Sequence, residues 1–127
     1  MTIYLHDTLQ GRKLEFEPLV DDTVSMYLCG PTVYNYAHIG NARPAVVFDL
    51  LARILRRRYE VTYARNITDV DDKINKASVE SGKPIDEITA KYIKAYNEDM
   101  GALGVQMPDV EPRATQHIPE MIDMIQV

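Results

Sequence analysis

The sequence predicts an α/β fold built on a parallel sheet. Three observations predict it. The run Val24-Ser-Met-Tyr-Leu28 reads as a buried strand and stops abruptly at Cys29-Gly30-Pro31. A helical pattern follows over 41–58, and Val61-Thr-Tyr-Ala-Arg-Asn-Ile67 then reads as a second strand. Strand, loop, helix and strand in that order make a βαβ unit, for which a right-handed crossover is expected.

The remaining elements follow from local pattern. Ile3-Tyr4-Leu5 is a short strand candidate. Leu14-Glu15-Phe16-Glu17 alternates as a half-exposed strand would, between Gly11 and Pro18. In the long helix Pro44 suits the first turn, where no N–H bond is lost. Val47, Leu50, Leu51, Ile54 and Leu55 form its expected buried stripe. Arg56-Arg57-Arg58 stands at its C-terminus, where cations oppose the dipole. Thr68-Asp69-Val-Asp71-Asp72 opens a helix to about Ser81, which Gly82 closes. Pro84 starts another, carrying Ile85, Ile88, Tyr92, Ile93, Tyr96, Met100 and Leu103 at helical spacing.

Three of the seven prolines fall between 108 and 119, a shift in composition that divides the chain. Residues 1–107 are expected to form the N-terminal half of a domain, and 108–127 the start of an inserted, connective region. Ile118-Pro-Glu-Met-Ile-Asp-Met-Ile125 is helical in pattern and runs to Val127 with no cap. Domains rarely end inside an apolar stripe, so a piece of a longer protein is expected.

Composition excludes several classes. The 127 residues are 46% hydrophobic and 26% charged, enough for a core and too apolar for disorder. The single cysteine, Cys29, excludes a disulfide scaffold and suits a reducing cytosol. No apolar run reaches the length of a membrane span, and the first residues lack the basic and apolar regions of a signal peptide. The net charge of −5 argues against a generic basic nucleic-acid binder. Residues 1–65 carry eight Lys/Arg against seven Asp/Glu, and 66–127 carry six against twelve. An anionic ligand is therefore expected on the first half.

The densest chemistry lies in Cys29-Gly-Pro-Thr-Val-Tyr-Asn-Tyr-Ala-His38-Ile39-Gly40-Asn41, between a strand and a helix N-terminus. Ligands of open parallel sheets bind at that end of the strands. His38 and Asn41 are three apart and both reach one spot from the first helical turn. Gly40 allows close approach of a flat ligand, and the helix amides favour a phosphate. The Walker loop and the Gly-x-Gly-x-x-Gly turn are both absent. The plainer alternative is a polar helix cap with an incidental histidine. For Asp69, Asp71 and Asp72 the favoured reading is a cap with carboxylates in the first turn, over a Mg²⁺ site. Arg56-Arg57-Arg58 reads as dipole-complementing rather than RNA-binding. Arg113 and His117 read as packing the sheet edge.

These stretches together resemble the cysteinyl-tRNA synthetase family of class I aminoacyl-tRNA synthetases. The resemblance is carried by the His-Ile-Gly-His type signature at 38–41 with Cys-Gly and Thr-Val-Tyr before it, by Arg-Asn-Ile-Thr-Asp-Val-Asp-Asp-Lys-Ile at 65–74, and by Glu-Pro-Arg-Ala-Thr-x-His-Ile at 111–118. Two positions depart from it. Asn41 stands where the signature has a second His; it still donates a hydrogen bond but carries no charge. Arg58 stands where a Gly often precedes the Tyr after the first helix, so a different turn is expected there.

The resemblance implies the first half of a Rossmann-like, nucleotidylyl transferase-like catalytic domain. It implies ATP-dependent activation of L-cysteine to cysteinyl-adenylate and transfer to tRNA(Cys), with Mg²⁺ accompanying ATP. His38 and Asn41 would be the catalytic pair, holding ATP phosphates with Gly40 beside the adenine. Cys29, Gly30 and Thr68 would hold cysteine. Cys29 would be one zinc ligand, the others lying outside this chain, and zinc would favour a thiolate over serine's hydroxyl. The second signature loop, of the Lys-Met-Ser-Lys-Ser type, is absent, so the chain alone is expected to be inactive. A cytoplasmic, monomeric parent protein without membrane contact is expected. Two alternatives stay open: a cysteine ligase of the mycothiol pathway that acylates an amino sugar, and a truncated protein that binds nucleotide or tRNA without catalysis.

Overall fold

The structure, a computed structural model, describes residues 2–126. Met1 and Val127, the outer limits of the two expected segments, lie outside the described residues. The chain opens on a hairpin. Strands β1 (Tyr4–Asp7) and β2 (Arg12–Glu15) pair antiparallel, with Leu5 opposite Leu14. The Asp7 carboxylate accepts the Gln10 N–H at 2.7 Å, and Gly11 takes a φ of 64° that a side chain would disfavour.

The second sheet is parallel. Strand β3 (Thr23–Leu28) leads through a loop into α1 (Ile39–Leu55), which returns to β4 (Glu60–Arg65). Thr23 faces Glu60 and Leu28 faces Arg65 in parallel register. Two helices, α2 (Asp72–Ser81) and α3 (Ile85–Ala102), then pack on each other and bring the chain back. Gly82 closes α2 in the left-handed conformation at φ 66°, as its sequence position predicts.

A third parallel run is added by 109–113. Val110 bridges to Ala64 and Arg113 to Ile67. Arg65 N–H donates to Val110 O at 3.0 Å and Ile67 N–H to Pro112 O at 2.8 Å. The sequence does not announce this run, because Pro108 and Pro112 flank a single apolar residue, Val110. Pro112 is tolerated because only its carbonyl is used. A 3-10 turn (Ala114–His117) and α4 (Ile118–Ile125) follow.

The stripe expected on α1 is corrected in part: Leu55 is buried as expected and Leu51 and Ile54 are half-buried. The buried face is Ala42, Ala45, Asp49, Ala52 and Leu55, while Val47 and Leu50 are exposed. Small alanines let the helix lie close to the sheet, which leaves Val47 and Leu50 outward. Asp49 is buried because it is bonded: it accepts Arg53 Nε–H at 2.8 Å and the Gln106 N–H at 3.1 Å. The helix also ends at Leu55, not 58. Arg58 and Tyr59 both send their N–H back to Leu55 O, and Arg56 pairs with Asp109 at 2.6 Å. On α3 the expected Ile88, Ile93, Tyr96 and Met100 are buried, and Ile85 and Leu103 are exposed. The core cluster runs from Val33, Ala42 and Ala45 through Ile67 and Ile74 to Tyr96 and Val105. No helix of the described residues is long and apolar enough to cross a membrane.

Candidate nucleotide site at the ends of the parallel strands

The site starts from a break in register. Leu28 faces Arg65, but Thr32 faces Thr68, so four steps on one side match three on the other. The extra residue lies within Cys29-Gly30-Pro31, a bulge in the parallel pair. Asn66 closes it. Its Oδ1 accepts the Gly30 N–H at 2.7 Å, and its Nδ2 donates to Thr68 Oγ1 at 3.2 Å. A Cβ on Gly30 would stand 1.5 Å from Asn66 O, so only glycine fits. Past the bulge, Thr68 N–H donates to Pro31 O at 3.0 Å and Val33 N–H to Thr68 O at 3.2 Å.

The loop then enters α1 through a reciprocal cap. His38 is the N-cap, with extended backbone at φ −115° and ψ 174°. Its Nδ1 accepts the Gly40 N–H at 3.0 Å, and Asn41 Oδ1 accepts the His38 N–H at 3.0 Å. An accepting Nδ1 puts the proton of a neutral imidazole on Nε2. Nε2–H and the Asn41 amide Nδ2 are left as donors for a ligand. A Cβ on Gly40 would lie 2.7 Å from His38 Cε1. Glycine at 40 therefore lets the imidazole fold back over the helix start. The capping bonds use only Nδ1 of His38 and Oδ1 of Asn41.

Five of the six residues singled out from sequence meet here. Cys29, Gly30, Gly40 and Asn41 line one shallow depression, closed beneath by Tyr96. His38 and Asn41 line the adjoining cavity with Tyr34, Tyr36, Tyr92 and Tyr96. The sixth, Thr68, lines neither; it is tied to Pro31 and Asn66 from the next strand. Tyr36 meets Tyr92 edge-on at 5.2 Å between centroids, and the Lys91 ammonium lies over both rings.

The acidic run at 69–72 is divided. Asp71 caps α2, accepting the Lys73 N–H at 2.8 Å, and Asp72 sits in the first turn. Asp69 does not belong to that cap. It is buried and accepts both the Thr115 N–H at 2.9 Å and Thr115 Oγ1–H at 2.6 Å. It anchors the 3-10 turn, a tie that sequence separation hides. Arg113 and His117 line a different depression, with Tyr27, Asn66 and Met121.

Among the described residues no group of three or more His, Cys, Asp and Glu could hold a metal ion. Cys29 is an exposed free thiol with no second soft donor beside it. The residues present do not by themselves fit a zinc site.

Sequence reasoning missed Asn66, Tyr96 and Arg65. Asn66 follows directly on β4, a position where an amide often bonds backbone, and that signal was available. Tyr96 reads as core because it is core: it is 4% exposed. Burial raises its hydroxyl pKa, and the Arg65 guanidinium opposes that rise.

Comparison with known proteins covers nearly the whole chain. The family model of the tRNA synthetases class I (C) catalytic domain matches residues 15–127. A protein of Maricaulis maris named Cysteine--tRNA ligase is 62% identical over 98% of this chain and 28% of its own length. Those of Rhodospirillum rubrum and Xylella fastidiosa, with the same name, are each 58% identical over 99% of this chain. The chain spans 27–28% of the length of the curated relatives it matches.

Proposed function

This chain belongs to the family of the tRNA synthetases class I (C) catalytic domain, and from that premise we propose that it supplies the nucleotide-binding half of a cysteine--tRNA ligase. The reaction is ATP-dependent activation of L-cysteine to cysteinyl-adenylate with release of pyrophosphate, then transfer to tRNA(Cys). The observation that carries this reading is the reciprocal cap. His38 and Asn41 spend one atom each on the helix start and keep Nε2–H and Nδ2–H for an anion. These two are the catalytic pair, donating to the phosphates of ATP, which would enter as its Mg²⁺ complex. The cysteine carboxylate attacks the α-phosphorus, and the chain contributes position and neutral donors rather than a covalent intermediate. Gly40, exposed at the helix start, gives the adenine side room.

Cys29, Gly30 and Thr68 form the cysteine side, across the bulge from the cap. By the family resemblance Cys29 would be one donor to zinc, whose other ligands would have to come from residues outside this chain. Residues 1–107 are the first half of the Rossmann-like catalytic domain, and 108–127 lead into the connective region, with 109–113 closing the sheet first. The parent is a cytoplasmic monomer; the free Cys29 thiol suits a reducing compartment. The relatives' name favours tRNA over an amino sugar as the acyl acceptor.

Isothermal titration of ATP into residues 1–127, with a His38→Ala control, tests the nucleotide reading. Heat that vanishes in the variant supports a preformed phosphate cradle. Equal heat in both overturns the role of His38. Adenylate formation by residues 1–127 alone would overturn the expectation that this part is inactive by itself.

A further inference from the structure

The described residues hold one buried cation with unmade bonds. Arg65, the last residue of β4, is 1% exposed, and, although the buried Tyr63 hydroxyl lies beside it, its Nε and Nη1 have no hydrogen-bond partner. A guanidinium cannot shed its proton, so burial leaves a fixed charge in a low dielectric, which is costly to keep without a purpose. Its position gives the purpose. The guanidinium carbon lies 5.4 Å from the centroid of Tyr96, the ring shared by both depressions. The Arg65 Cγ lies 3.5 Å from where a Cβ on Gly30 would stand, directly beneath the bulge. On the third parallel run, Glu111 Oε2 is also buried and unpartnered, and its charge and that of Arg65 both act on Tyr96. Arg65 and Glu111 form no ion pair among the described residues.

We propose that Arg65 is a positioning residue of the nucleotide site, holding the Tyr96 ring beneath the bulge and placing a fixed positive charge under the bound phosphates. This rests on the nucleotide reading above. It compensates for Asn41, which donates a hydrogen bond where a histidine could also carry charge. Because the guanidinium is buried, its field reaches the site with little screening by salt. Glu111, on the neighbouring parallel run, carries the opposing charge.

The test is ATP–pyrophosphate exchange by the full-length protein, with KM for ATP and for cysteine measured separately and a melting temperature for each variant. Arg65→Met raises KM for ATP about tenfold, as expected for loss of one buried charge, and raises KM for cysteine by less, the smaller change that lost packing beneath Gly30 alone would give. Arg65→Lys keeps the charge and restores KM for ATP to within about threefold of the unsubstituted protein, although its melting temperature falls. Glu111→Gln removes the opposing charge and lowers KM for ATP, an effect of opposite sign that lost packing cannot mimic. If the unsubstituted protein shows no exchange, the nucleotide reading fails and this inference falls with it. Normal exchange with an unchanged KM for ATP in Arg65→Met overturns this inference alone. Should Arg65→Met not fold, Glu111→Gln decides: an unchanged or raised KM for ATP overturns the charge account.

Discussion

The backbone of Gly30 runs so close to Asn66 that a Cβ would stand 1.5 Å from its carbonyl oxygen, while the Asn66 side chain holds the Gly30 N–H at 2.7 Å. Two strands thus lock at the point where their register slips. Cys29 on one side and Thr68 on the other take their positions from this lock.

Gly30→Ala should therefore be among the most damaging substitutions that add one carbon. The obstructing atom is backbone and cannot rotate away. A loss of about 3 kcal/mol is expected, read as a fall in the thermal midpoint; an unchanged midpoint would show that the bulge relaxes freely.

Asn66→Ala removes both bonds of the lock and leaves the part-buried Gly30 N–H without a partner. A loss of about 1–3 kcal/mol follows. Asn66→Asp keeps an acceptor for Gly30 but loses the donor to Thr68, so its loss is smaller. Denaturant titration of the two variants separates these contributions.

Asn41→Asp separates the cap from the ligand role. An aspartate keeps the acceptor for the His38 N–H and adds an anion at the positive end of α1. Stability should hold or rise by about 0.5 kcal/mol. Binding of ATP should weaken at least about tenfold, because a carboxylate repels phosphate. Parallel loss of both would mean that Asn41 is structural only.

Asp69→Ala cuts the two bonds to Thr115 that tie the 3-10 turn to the segment between β4 and α2. A loss of about 2 kcal/mol is expected, since a charged acceptor bonds more strongly than a neutral one. Faster hydrogen exchange at the Thr115 amide, with the β3·β4 amides unaffected, would place the damage at that turn.

Asp109 gives the fold an acid-sensitive tie. The Tyr63 N–H it accepts, and then the Arg56 guanidinium, hold its carboxyl below the ordinary value of 3.8. A depressed folded pKa stabilises above the ordinary value and is lost as pH falls through the folded one. The side chain is 44% exposed, so solvent screens the effect. Asp109→Asn should cost about 0.5 kcal/mol at pH 7, and the gap to the unsubstituted chain should close below the carboxylate range. A gap independent of pH would remove the charge from the account.

The order of elements is written locally. Gly82 stops α2 because its φ favours glycine, and the Cys29-Gly30-Pro31 break ends β3, so both are evident along the chain. The spacing of His38 and Asn41 likewise brings them together on one helical turn without help from the rest of the fold. Other features depend on partners far away in sequence. Which face of α1 is buried follows from how near the sheet lies, so the alanines go inward and Val47 and Leu50 stay outside. The run at 109–113 has little strand signal of its own and pairs because β4 offers its open edge. The Asp69–Thr115 tie joins residues that helices α2 and α3 separate along the chain, and Arg65 meets Tyr96 of α3 across the whole of α2. Helical period and turn chemistry act over a few residues, whereas burial and hydrogen-bond satisfaction are set by whatever the folded chain brings alongside.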